Sequence, residues 1–359
     1  AQMTVNPKLM QRIRQDVQSM HAYAIQDSVG MVKLDAMENP FGLPLELQQQ
    51  LGERLGKLAL NRYPDGRVND LRTALAQYAD MPEDHDIMLG NGSDELISLL
   101  AMACDVPGAT ILAPLPGFVM YAMSAQLQGL QFVGVDLTPD FELDEPAMLA
   151  AIERHQPAIV YLAYPNNPTA NLWDDGAIER IVQAAPGLVV IDEAYQPFSS
   201  RSYLDRLGQH PNVLLMRTLS KFGLAGIRLG YLMGPAALVH EIDKVRPPYN
   251  VSVLNAEAAL FALEHAAVYE AQAADLRAER ALLLDALAML PGVKAWRSDA
   301  NMVLVRVPDA RAAFEGMKRQ GVLVKNVSTM HPLLANCLRL TVGTADENLR
   351  MLAALQASL

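Results

Sequence analysis

Lys221 ends the segment Arg217-Thr-Leu-Ser-Lys221 and precedes Arg228 by seven residues. A lysine amine forms a Schiff base with an aldehyde when neighbours or desolvation disfavour its charged form, and Arg228 is such a neighbour. Asp192 closes the apolar run LVVID, where a carboxylate could pair with a protonated ring nitrogen and keep an aromatic ring electron-poor. Tyr195, and Asn167 in YPNNPT, could each hydrogen-bond a phenolate oxygen on that ring, and Phe118 in PGFVMY could stack on its face. A second group of residues suits a phosphate. Gly92, Ser93 and Asp94 open a helix, where free NH groups and the helix dipole favour an anion. The hydroxyls of Thr218 and Ser220 and the guanidinium of Arg228 would complete the cup, with Asp94 serving through its backbone because its carboxylate repels a phosphate.

Taken singly, each feature has a plainer reading: GNGSD is a turn with a helix cap, NNPT a loop, a lone lysine a solvated charge. Their order along one chain decides otherwise. Unrelated turns and caps have no reason to fall as cup, ring face, Asn, Asp, Tyr, Lys, Arg, and together they are what pyridoxal 5'-phosphate requires.

These residues follow apolar runs, so the elements that position them are strands. Seven are expected, near Ile87 to Leu89, Thr110 to Ala113, Gln131 to Val135, Ala158 to Ala163, Leu188 to Asp192, Val213 to Arg217 and Gly230 to Met233, with helices between most of them. IVYLA and LVVID are apolar throughout, as strands buried on both faces are. The fold class is therefore α/β, a largely parallel seven-stranded sheet between helices, and ligands of such sheets bind beyond the carboxyl ends of the strands. Pro247-Pro248 marks a domain edge. An Ala- and Leu-rich stretch from Glu257 to Leu290 is strongly helical in propensity, followed by strands at Met302 to Val307, Val322 to Val324 and Leu338 to Val342 with helices around Arg311 to Arg319 and Glu347 to Leu355. The organisation expected is a segment over 1–40 with one helix and one strand that packs on the smaller domain, a large domain over 41–248, and a small α/β domain over 249–359.

Composition narrows the partners. With 359 residues, 51% of them apolar, the chain can bury a large core, and a net charge of -11 argues against nucleic acid. Local potential still permits a small anion in a basic pocket. Cys104 and Cys337 are far apart and lack a CxxC spacing, so neither a disulfide framework nor a metal site is expected. No apolar stretch approaches a membrane span and no secretory pattern opens the chain, which points to the cytoplasm. GxGxxG and GxxxxGK[ST] are missing in the right context, which excludes a nucleotide-binding reading of GNGSD. A non-catalytic module that senses pyridoxal phosphate or attaches to DNA fits poorly, because no added basic segment is present and Lys221 and Asp192 are both retained.

From KLDAMENP (Lys33 to Pro40) through NRYP (Asn61 to Pro64), GNGSDE, YPNNPT, IDEAY and RTLSKFGLAGIRLG to CLRLTVGT, the chain resembles the fold-type I pyridoxal-phosphate-dependent aminotransferases, and among them the histidinol-phosphate branch. The resemblance implies that Lys221 binds the cofactor covalently and moves a proton between the substrate's α carbon and the cofactor. It implies a homodimer with shared active sites, in which Tyr63 reaches the cofactor phosphate of the other subunit. It also implies that Tyr23, Asn167, Lys325 and Arg339 meet the substrate, Arg339 facing its anionic group. The expected reaction takes L-histidinol phosphate and 2-oxoglutarate to imidazole acetol phosphate and L-glutamate, reversed in histidine biosynthesis. Alternatives of the same fold are an aromatic or other amino-acid transaminase and a phospho-amino-acid decarboxylase. The sequence departs from the family at Lys325, where Arg is usual, at Met37, where Asn is usual, and at Ala170, where Gly usually follows NNPT. None of these removes a catalytic group, and they bear on the donor substrate.

Overall fold

The computed structural model describes residues 1–359. All seven expected strands are present and form one sheet in the order His85–Gly90, Gly230–Pro235, Val213–Thr218, Leu188–Asp192, Ile159–Ala163, Thr110–Leu115, Gln131–Asp136. Gly230–Pro235 is antiparallel to both of its neighbours, and the other pairs are parallel. The three strands Val213–Thr218, Leu188–Asp192 and Ile159–Ala163 are buried almost throughout, whereas the edge strand Gln131–Asp136 has no buried residue.

Side-chain alternation along the central strands divides the sheet's apolar contacts between two layers. Val160, Leu162, Val189 and Ile191 pack with Leu71, Leu75, Ile178 and Ile181 on one face. Ile159, Tyr161, Val190, Leu214 and Met216 pack with Leu96, Leu100, Ala125 and Ile242 on the other. Each such side chain contributes about 1.5–3 kcal/mol relative to exposure, so the strand ends that carry the polar residues are rigidly fixed. Helix starts are set locally: Asp144 and Asp174 accept from the backbone NH of Ala147 and Ala177, each cap stabilising its helix by about 1 kcal/mol.

A second, antiparallel sheet has the order Lys325–Asn326, Cys337–Thr341, Met302–Arg306, Lys294–Ala295. Val32–Lys33 pairs in parallel with Val322–Leu323, and Leu34 joins the apolar cluster of Met302, Val305, Leu340, Met351 and Leu355. Ahead of that strand stand two short helices, Pro7–Met10 and Gln15–Ser19, in place of the single helix expected.

The long stretch from Glu257 to Leu290 is also two helices, Val253–Glu264 and Ala266–Ala288. Propensity favours helix across the whole run, but His265 leaves helical geometry at φ -114°, ψ 31°. Packing explains the break: the first helix buries Ala256, Ala259, Leu260 and Ala262 in the core of the large sheet, and the second turns to supply Leu276, Leu283 and Leu287 to the other core. No helix is long and apolar enough to cross a membrane.

Candidate active site

One edge of the large sheet gathers the chemistry. Asp192 and Thr218 are the last residues of their strands, and Gly230, the first residue of the antiparallel strand, lies opposite both Thr218 and Gly90. The chain runs from Thr110–Leu115 outward to Gln131–Asp136 and returns on the other side as Ile159–Ala163. Phe118 and Asn167 follow the two strands that flank this reversal of order, where doubly wound sheets bind ligands.

Lys221 sits just beyond Thr218 in an irregular turn, Ser220–Leu224, that breaks at Gly223 with φ 141°. A Cβ at Gly223 would lie 2.7 Å from the Tyr269 ring and 3.0 Å from Asn39 Nδ2, so only glycine serves there. Lys221 Nζ donates to the carbonyl of Ala36 at 2.9 Å and lies 5.8 Å from the Tyr195 ring centre. Burial is the main cause that lowers its pKa to about 8, and the Arg339 and Arg228 guanidinium groups add to it. The result is an amine whose neutral fraction near neutral pH, though a minority, is far larger than an ordinary lysine's, and that is the form that attacks an aldehyde.

Asp192 is 4% exposed and forms no ion pair within the chain. Its Oδ2 accepts from the Tyr121 hydroxyl at 2.5 Å and its Oδ1 from the backbone NH of Ala194 at 3.2 Å. Burial pushes its pKa up to about 6, while the Tyr121 and Ala194 hydrogen bonds pull against that. Tyr195 is buried beside it, and burial raises its phenol well above the ordinary value. Phe118 is half-buried and meets Tyr121 edge to face at 5.5 Å between ring centres.

Of the residues expected at a phosphate, Gly92, Asp94, Ser220 and Arg228 lie together, whereas the Thr218 hydroxyl is engaged elsewhere. Gly92 begins the helix Gly92–Ala103 with φ +78°, and a Cβ there would stand 2.5 Å from Arg228 Nη2. A Cβ on Gly230 would lie 3.0 Å from the backbone nitrogen of Ser93. Gly230 is therefore required by close approach to backbone, and Gly92 by its left-handed φ. Arg228 Nη1 donates to Ser220 Oγ at 3.3 Å, and its Nη2 is 3.9 Å from the Asp94 carboxylate. Ser93 Oγ is buried with no hydrogen-bond partner. An orphaned hydroxyl, a helix N-terminus and an adjacent guanidinium are what a phosphate group would satisfy, so the residues present fit pyridoxal phosphate. Thr218 Oγ1 is turned inward, donating to Leu229 O and accepting from the NH of Ser220, and shapes the turn.

Across the cleft, Arg339 and Lys325 are directly opposed on adjacent antiparallel strands. Arg339 donates to Asn167 Oδ1 at 2.9 Å and to the carbonyl of Asp35 at 2.8 Å, while its buried Nε has no partner. Facing cations on one sheet face destabilise a strand pair unless an anion joins them. Tyr23 is close enough to Tyr195 and Arg339 to influence both titrations, yet it is 64% exposed. Tyr63 stands apart from this cluster, 78% exposed and stacked on Tyr249 at 4.8 Å. The loop that carries Tyr249 is tied to the cup helix, since Asn91 donates to Asn250 O and Asn250 to Glu95 Oε1, both at 2.6 Å.

Three contributors escaped the sequence reading. Tyr121 lies in the same PGFVMY stretch as Phe118, and its position in the first turn of a helix beyond a strand end was the available signal. The carbonyls of Asp35 and Ala36 carry no such signal, because any residue has one.

Residues 29–355 match the model of the family described as aminotransferase class I and II, and the chain belongs to that family. It is 74% identical to the histidinol-phosphate aminotransferase of Polaromonas naphthalenivorans, over 99% of this chain and 98% of that protein. It is 72% identical to the protein of the same name from Methylibium petroleiphilum, over 98% and 96%. The crystal structure of histidinol-phosphate aminotransferase from Sinorhizobium meliloti, in complex with pyridoxal-5'-phosphate, superposes with a TM-score of 0.84 at 26% identity, covering 97% of each chain.

Proposed function

We propose that this chain transfers the amino group of L-histidinol phosphate to 2-oxoglutarate, giving imidazole acetol phosphate and L-glutamate, and runs in the opposite direction in histidine biosynthesis. The cofactor is pyridoxal 5'-phosphate. When bound, it supplies an aldehyde for imine formation and a protonated ring that takes up the electron pair released at the substrate's α carbon.

The chain's own residues do the rest. Lys221, half-neutral at a pH of about 8, would be the amine that attaches to the aldehyde. With the cofactor and donor bound, Lys221 Nζ would be the base that carries the proton away from the substrate's α carbon and the acid that gives it back. Asp192 would hold the proton on the ring nitrogen, Tyr195 and Asn167 would hydrogen-bond the ring's phenolate oxygen, and Phe118 would cover one ring face. Gly92, Ser93, Asp94, Thr218, Ser220 and Arg228 position the phosphate, Asp94 through its backbone and Thr218 by shaping the turn.

The observation that carries the choice of donor is the opposed pair Lys325 and Arg339, neither engaged in an ion pair, beside Asn167. Two cations beside Asn167 suit a substrate that ends in a phosphate, and either can accept the second carboxylate of glutamate in the other half-reaction. Lys325 gives a point charge where a guanidinium would give a fork. Tyr23 closes over the same end. In the same reading two copies assemble, so that the exposed Tyr63 of each reaches the phosphate cup of the other, and the reaction takes place in the cytoplasm. The division into a segment over 1–40 and units over 41–248 and 249–359 belongs to this reading too.

The test is an absorption spectrum of the purified protein with pyridoxal phosphate, before and after L-histidinol phosphate is added with no oxo acid. Conversion of the protein-bound aldehyde chromophore to pyridoxamine phosphate is expected. An unchanged spectrum would overturn the donor, and release of carbon dioxide when a phosphorylated amino acid is supplied in its place would turn the reading to decarboxylation.

A further inference from the structure

A buried carboxylate with no cation beside it stays ionised only if hydrogen bonds replace the water it has lost. Asp192 is in that position. The groups that face it are the carboxylates of Asp94 and Glu193 and the phenols of Tyr121, Tyr161 and Tyr195. Both carboxylates disfavour its charge. Among the side chains, Tyr121 alone donates a hydrogen bond to it.

The Tyr121 ring is held hard in place. It stacks on Tyr161 with ring centres 4.1 Å apart and planes 8° from parallel, and the edge-on Phe118 ring leans against it. The ring is 3% exposed, so its hydroxyl has no water to turn to. Tyr161 makes the contrast within the same stack: its hydroxyl is buried and has no partner. The stacked pair thus supplies one aimed donor and one idle hydroxyl. A carboxylate has about four lone-pair positions, so accepting from Tyr121 and Ala194 leaves Asp192 room for a further donor.

We propose that Tyr121 is a positioning residue, whose hydroxyl keeps Asp192 ionised and aimed at the cofactor's ring nitrogen. The inference rests on the assignment of Asp192 to that nitrogen. Removing the hydroxyl favours the neutral acid, which has no charge to offer a ring N–H.

The experiment compares the affinity of the apoprotein for pyridoxal phosphate with its affinity for the analogue in which carbon replaces the ring nitrogen. Wild type should prefer the natural cofactor. Tyr121→Phe keeps the stacked ring and should lose about tenfold in affinity for pyridoxal phosphate, the scale of a hydrogen bond to a charged group, with affinity for the carbon analogue unchanged. Tyr161→Phe removes the idle hydroxyl from the same stack and should alter neither. Equal losses for both ligands in Tyr121→Phe would mean a packing role, and no loss would mean an irrelevant contact; either overturns the proposal. If wild type binds both ligands equally, the assignment of Asp192 fails first and takes the proposal with it.

Discussion

At the scale of single residues, the site works by opposing burial against hydrogen bonds. The depressed Lys221 amine predicts that capture of pyridoxal phosphate by the apoprotein accelerates as pH rises through about 8, because only the neutral amine attacks. Stopped-flow absorbance across that range checks it, and a pH-independent rate would contradict the neutral-amine step. The same shift has a cost in stability. The unfolded chain holds this proton up to an ordinary value of 10.5 and the folded chain only to about 8, so the stability due to this group rises between those limits. Met37 and Ala170, two of the three departures from the family pattern, take on a physical meaning in the structure. Both hold left-handed backbone, with φ 52° and 63°, the geometry that Asn and Gly adopt most easily. Both are also buried in the second core. Each exchanges backbone ease for apolar contact, and neither side chain forms a hydrogen bond with a substrate-binding residue.

At the scale of elements, the cup helix and the turn that carries Arg228 approach each other closely. Gly92→Ala would strain a positive φ and drive a methyl into the guanidinium. We expect the affinity for pyridoxal phosphate to fall at least tenfold, about 1.4 kcal/mol or more, while the affinity for pyridoxal, which has no phosphate, stays the same. Fluorescence titration with the two ligands makes the comparison, and an equal loss for both would place the fault in the fold. The elements were also the most legible part of the sequence. Continuous apolar runs gave the central strands nearly to the residue, since burial on both faces leaves no alternative composition. The His265 break was hidden because Ala and Leu favour helix on both sides of it, and the turn is dictated by which core each half must fill. The two-residue strands Lys294–Ala295 and Lys325–Asn326 are too short to show a period. Among the site residues, those on motifs could be read. Tyr121 needed the topology that brings a helix start from one strand end against the Asp192 of another.

At the scale of the whole molecule, Tyr63 is the residue that one chain cannot explain. Stacked on Tyr249 and largely exposed, it fits a role in a neighbouring copy. A mixture of Lys221→Ala and Tyr63→Ala chains tests this directly. If sites are shared, a hybrid dimer concentrates both defects in one site and leaves the other intact, so activity should exceed the sum of the two parents after unfolding and refolding together. If each chain builds its own site, every site in the hybrid carries one defect and nothing is regained.

One feature of the N-terminal segment bears on how such a protein is best dissected. The stretch after Val32–Lys33 offers three successive main-chain oxygens: Asp35 O to Arg339, Ala36 O to Lys221 and Met37 O to Asn301. Replacing a side chain leaves every one of those oxygens in place. An alanine scan would therefore report the packing of Leu34 and Met37 and miss these contacts, although the strap touches both the Lys221 amine and the Arg339 guanidinium. Deleting a single residue between Leu34 and Asn39 would displace all three contacts at once, and replacing a single peptide bond there by an ester would weaken one of them as an acceptor. The chemistry of this site is thus partly written in chain length, which substitution tables do not record.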